Sequence, residues 1–120
     1  MNSNPMVKAL GAGSILQIAM VVIGHFVPSW QAAGLFPIGG TLLGLVTGWL
    51  AGKGAPGVGL GKLATTGGLA GAGAGVLGSL VSTALGDVPL SNVGIAGLST
   101  LVTGALGGIL TQFMAKKQAA

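Results

Sequence analysis

The chain contains no cysteine, no glutamate, no arginine and no tyrosine, and only one aspartate and one histidine. Each absence removes a class of chemistry. Without cysteine there is no disulfide, no thiolate metal site and no thiol nucleophile, and cysteine usage leaves the redox compartment open. A single acidic side chain cannot form a paired-carboxylate acid/base site. A single histidine beside it supports neither a three-ligand metal cluster nor a relayed nucleophile. The expectation is a protein that is not an enzyme and needs no cofactor.

Charge is the next scarcity. Only 5% of the 120 residues are Asp, Glu, Lys or Arg, whereas a soluble domain carries about 25%. Such a chain cannot cover a globule with a polar surface, so it is expected to be integral to a membrane. The net charge of +4 comes from five scattered lysines. They make neither a basic stripe nor a patch interleaved with stacking aromatics, and nucleic acid is not an expected partner.

What is present is apolar length. Four stretches, at about 7–27, 35–52, 63–85 and 93–115, are free of charge apart from Lys8 at the start of the first. Each is near the roughly 20 residues needed to cross a hydrocarbon core. In lipid a span must satisfy its own backbone, which predicts helices despite the many glycines. Pro28, Pro37, Pro56 and Pro89 fall between or at the edges of the stretches, and Ser91 and Asn92 are placed to cap the fourth. The fold class is therefore an all-α membrane protein forming a single domain. Its four spans are expected as two antiparallel hairpins, because the connections 28–34 and 86–92 are short.

The lysines orient this arrangement. Lys8, Lys53, Lys62, Lys116 and Lys117 all fall on one side of a four-span chain, and Asp87 falls on the other. By the positive-inside bias both termini and the middle loop face the cytoplasm, and a bacterial inner membrane is the expected location. The first stretch is too long for the apolar core of a secretory signal and is expected to remain as a span. Trp30 and Trp49 would lie at opposite interfaces. Two copies of Leu-Val-Thr-Gly, at 45–48 and 101–104, suggest a tandem duplication with a spacing of 56 residues, which would relate the hairpins by a pseudo-twofold axis along the membrane normal.

The 25 glycines need a reason. Gly73, Gly75 and Gly78 match the dinucleotide fingerprint in form, but they lie inside a span rather than between a strand and a helix. Gly61 and Lys62 lack the Ser or Thr of a phosphate loop. The spacing points elsewhere: Gly40, Gly44, Gly48 and Gly52 repeat every four residues, as do Gly67, Gly71 and Gly75, and Gly97, Gly104 and Gly108 continue the theme. Such stripes let helix backbones approach closely where hiding leucine from lipid gains little. The second and third spans are expected to cross closely, and the first to be peripheral.

Few polar residues remain. Gln17 is expected to bond between helices or to line a pathway, and Thr47 and Thr103 to bond within their own helices or join that pathway. Asp87 reads as a turn residue. His25 is expected at the interface, with haem or pigment ligation as the alternative.

The glycine-rich run ending at Gly78 resembles the corresponding helix of rotary ATPase proteolipids, in which duplicated hairpins also occur. The membrane carboxylate of that family is absent, so the resemblance implies packing without ion carriage. Length and span number are similar to small multidrug resistance transporters and to dimeric fluoride channels. The glutamate of the former and the arginine, asparagine and phenylalanine pattern of the latter are missing. No family is assigned on these residues.

The leading functional expectation is action through helix packing, as a homo-oligomer or as an accessory subunit of a larger membrane complex, with lipid and other membrane subunits as partners. The alternative is a small channel or carrier for a neutral or weakly polar solute.

Overall fold

The computed structural model describes residues 5–53 and 59–119, which are helical apart from short turns. Four helical segments are long and apolar enough to cross a membrane: Val7–Phe26, Leu35–Lys53, Leu60–Ala84 and Asn92–Met114. They belong to α1 (Pro5–Phe26), to a π-helical turn (Leu35–Gly39) that runs into α3 (Gly40–Lys53), to α4 (Leu60–Ala84) and to α5 (Asn92–Ala119); a one-turn helix α2 (Pro28–Ala32) precedes the π turn. Pro56, expected to separate the second and third spans, lies outside the described residues.

Helix ends depart from hydropathy ends in a consistent direction. Lys62 falls in the first turn of α4, and Lys116 and Lys117 fall within the backbone of α5 rather than after it. The apolar pattern marks where lipid would end, whereas Ala, Lys and Gln are good helix formers and carry the helix further. The stretch expected as a simple connection, 28–34, holds α2. Pro28 opens it, where the missing N–H costs nothing, and Gly34, with φ 99°, ends it. Gly86, with φ 81°, closes α4 in the same left-handed way. The Gly86 N–H donates to the Thr83 carbonyl and the Asp87 N–H to the Ser82 carbonyl, both at 3.0 Å. This is a Schellman motif, and it fixes where Asp87 emerges.

The interior is inverted relative to a soluble bundle. The described buried apolar residues are Ala9, Val21, Ala51, Leu63, Ala70 and Ala74, accompanied by buried Ser14, Gln17, Thr47, Ser79, Ser82 and Thr100. Large side chains point outward instead, among them Ile15, Phe26, Ile38, Leu69, Ile95, Leu98 and Phe113. A water-exposed surface of this kind would be a contiguous sticky patch, whereas lipid accepts it. The long axis of the molecule measures 46 Å, comparable to the roughly 40–45 Å of a bilayer with its headgroup regions.

Glycines stand where several of the helices approach one another. A Cβ on Gly67 would fall on the carbonyl oxygen of Gly104, one on Gly71 on that of Thr100, and one on Gly108 on that of Leu63, all between α4 and α5. Along α3, a Cβ on Gly44, Gly48 or Gly52 would strike Thr100 and Thr103, Gly104, or Gly108 and Thr111 of α5. Gly75 faces Thr100 and Ala96, Gly97 faces Val76, and Gly40 faces Gln17 and Met20. Apart from Gly40, the stripe glycines of α3 and α4 thus face α5, while α3 and α4 also pack against each other through other residues. The stripes turn to α5 because it carries glycine on two faces: Gly104 and Gly108 toward α4, and Gly107 toward the Leu45 carbonyl of α3. The first span packs against both α3 and α4. A Cβ on Gly13 would meet Thr47, and one on Gly73 would come within 2.7 Å of Leu10.

The order of these partners is systematic. From Gly67 to Gly71 to Gly75 the facing residues in α5 fall from Gly104 to Thr100 to Ala96. From Gly13 to Gly24 the facing residues fall from Thr47 to Phe36. Along α3 they rise instead: Gly44 meets Thr103 and then Thr100, Gly48 meets Gly104, and Gly52 meets Thr111 and then Gly108.

Candidate functional site

One end of the bundle is threaded with hydroxyl and amide groups that the apolar pattern of the spans conceals. Threonine can sit there because its hydroxyl donates within its own helix. Thr41 donates to the Pro37 carbonyl and Thr100 to the Ala96 carbonyl, both at 2.6 Å. Thr83 donates to Ser79 at 2.9 Å. These protons are thereby spent, and the oxygen lone pairs are left over.

Gln17 is 3% exposed, and its Nε2 donates to the Gly40 carbonyl at 3.1 Å, tying α1 to the start of α3. The long side chain fits because the facing residue of α4 is glycine: a Cβ on Gly78 would lie 2.8 Å from Gln17 Cβ. Asn92, expected to cap α5, turns its amide nitrogen to Ser79 Oγ at 2.9 Å and so bridges α4 and α5.

Between these groups lies a cavity of about 220 Å³. Gln17, Met20 and Val21 of α1, Phe36 and Pro37 of the π turn, and Gly40 and Thr41 of α3 form one side. Gly75, Gly78, Ser79 and Ser82 of α4 face Asn92, Ile95, Ala96, Ser99 and Thr100 of α5 on the other. Among the described residues no ionisable side chain lines it. Ser82 is 2% exposed, and its buried Oγ has no hydrogen-bond partner among the described residues. A buried hydroxyl left unpaired costs about 1–3 kcal/mol.

The residues singled out from sequence divide between this cavity and other places. Gln17 lines it. Thr47 is fully buried but lies about two turns further along α3 from Gly40, against Gly13 of α1, donating to the Leu43 carbonyl at 2.7 Å. Thr103 donates to Ser99 at 3.2 Å and abuts Gly44. The three do not form a single path. His25 stands one helical turn beyond Val21, with Nδ1 3.0 Å from a carboxylate oxygen of Asp87 and its ring edge-on to Phe26. Asp87 is thus a partner as well as a turn residue. At the opposite end of α3 the Lys53 ammonium sits 4.8 Å from the Trp49 ring centroid, and Trp49 Nε1 donates to Met114 Sδ at 3.2 Å.

Sequence reasoning did not single out Ser79, Ser82 or Thr100, and it placed Asn92 in a cap. The available signal was Ser79 and Ser82 three residues apart inside an apolar span, which puts two hydroxyls on one face. Comparison with known protein families, with curated proteins and with solved structures gives no match to this chain.

Proposed function

We propose that this is an integral membrane protein of a bacterial cytoplasmic membrane that binds and passes a small neutral or weakly polar solute, with both termini and the middle connection on the cytoplasmic side. The observation that carries this reading is the cavity itself. It lies among apolar spans, sets hydroxyls and amides into a largely apolar lining with no charge among the described residues, and includes Ser82, whose buried hydroxyl is unpartnered among them. A site of fixed hydrogen-bonding groups in a low-dielectric bundle suits uncharged polar molecules, because a charge there would be desolvated without compensation.

The architecture proposed with it is two antiparallel hairpins descended from one by duplication and held by glycine contacts. Supporting it are the falling order of partners between α1 and α3 and between α4 and α5. Facing residues of α3 and α5 rise together, and Gly48 meets Gly104 at the offset of 56 that separates the two Leu-Val-Thr-Gly copies. Equivalent helices meeting around a twofold axis touch at equivalent positions, as an isologous interface does.

Action as a ring or as an assembly subunit is the second reading; the ten stripe glycines lie against other helices of the same chain and so supply no argument of their own for a second copy. The Nδ1 of His25 is engaged with Asp87, which weakens haem or pigment ligation as a reading.

The test is flux. Purified protein in vesicles of neutral lipid should speed volume relaxation under a gradient of urea or glycerol by about tenfold or more over protein-free vesicles, with no rise in sodium or chloride permeability. Unchanged relaxation for water and for both solutes ends the transport reading.

A further inference from the structure

We propose that the cavity recognises small uncharged molecules that both accept and donate hydrogen bonds, a class to which urea-type amides and small polyols belong, and that the two serines of α4 are its specificity-determining donors. The inference builds on the reading of a solute site above but concerns binding, and it stands or falls separately from transport.

The argument is a proton inventory. Ser82 Oγ is buried without a partner among the described residues, so its O–H and both lone pairs are free. Ser79 Oγ accepts from Asn92 and still holds its own proton. Three residues apart on one helix, these hydroxyls present two donors from the same wall. Two other lining hydroxyls are the reverse, because Thr100 and Thr41 have given their protons to backbone carbonyls and offer lone pairs alone. A ligand that pairs with all four therefore needs an oxygen to accept from the serines and N–H or O–H groups to donate to the threonines.

Charge and size narrow the class further. Neither His25 nor Asp87 lines the cavity, and no other ionisable group among the described residues does. A bound ion would find no counter-charge, and burying it would cost far more than these hydrogen bonds return. The volume of about 220 Å³ corresponds to about seven water molecules at roughly 30 Å³ each, which suits a solute of a few heavy atoms. The apolar part of the lining, Met20, Val21 and Ile95, adds no directional preference.

The test is equilibrium binding of urea and of glycerol to the full chain in lipid nanodiscs, read by saturation-transfer NMR, with tetramethylurea as the probe that accepts but cannot donate. The expected result is transfer to urea and glycerol and little to tetramethylurea. Ser82→Ala should weaken transfer about five- to tenfold, the loss expected for one hydrogen bond, and Thr100→Val should weaken it similarly. Ser14→Ala, which removes another buried unpartnered hydroxyl from outside the lining, should leave it unchanged. Circular dichroism melting of each variant separates lost binding from lost folding. Absence of transfer to urea and glycerol overturns the inference, as does equal transfer to tetramethylurea or insensitivity to Ser82→Ala in a folded variant. Binding without flux keeps the site and ends the transport reading, whereas flux without this binding pattern does the reverse.

Discussion

At the scale of single residues, polar groups carry the information in a chain that has so few of them. The contact between His25 and Asp87 joins the end of α1 to the turn after α4, and it exists because the Schellman motif at Gly86 aims Asp87 back across the bundle. With the two side chains 33% and 14% exposed, its worth should lie toward the upper end of the range for accessible pairs, about 0.5–1 kcal/mol. A double-mutant cycle with His25→Gln and Asp87→Asn, read by thermal unfolding in detergent, should return a coupling energy of that size. Additive effects would mean that the pair is coincidental. Thr47 illustrates the opposite economy: it is fully buried, yet its hydroxyl is satisfied within its own helix, so it serves as a small packing residue against Gly13.

At the scale of helices, the sign of a glycine substitution is set by what lies opposite. Gly48 and Gly67 both stand against the carbonyl oxygen of Gly104, and a backbone oxygen cannot rotate out of the way. Gly67→Ala and Gly48→Ala should each destabilise by about 1–3 kcal/mol, as overpacking does. Gly11 and Gly94 have open space where a Cβ would be, so Gly11→Ala and Gly94→Ala should be neutral or stabilising by up to about 1 kcal/mol through helix propensity. Unfolding of the four variants side by side checks this. Equal effects at the two kinds of position would show that backbone flexibility, rather than close approach, governs these glycines.

At the scale of the whole molecule, the absence of cysteine becomes an experimental asset. Single cysteines introduced at Lys8, Lys53 and Lys62 should react with a membrane-impermeant maleimide from the cytoplasmic side only, and those at Trp30 and Asp87 from the opposite side only, as the lysine asymmetry requires. A reversed or mixed pattern would overturn the orientation. The inverted interior, small and polar within and large and apolar without, accords with lipid as the solvent of this fold.

The sequence by itself determined the four spans and their number, because length, apolarity and lack of charge are one-dimensional properties that a bilayer reads directly. It also marked the glycine positions, since a period of four survives in any helix. It could not assign their partners: the helices of the second and third spans do touch, yet most of their stripe glycines face α5, whose adjacent Gly107 and Gly108 open two faces at once. The one-turn helix at Pro28–Ala32 was hidden for a similar reason, its five residues being too few to show a period. The cavity depended wholly on tertiary structure. Gln17, Ser79, Ser82, Asn92 and Thr100 come from three helices and look unremarkable in their own segments. Hydrogen bonds between helices decide which hydroxyls are satisfied, and only the assembled bundle leaves Ser82 without a partner among the described residues.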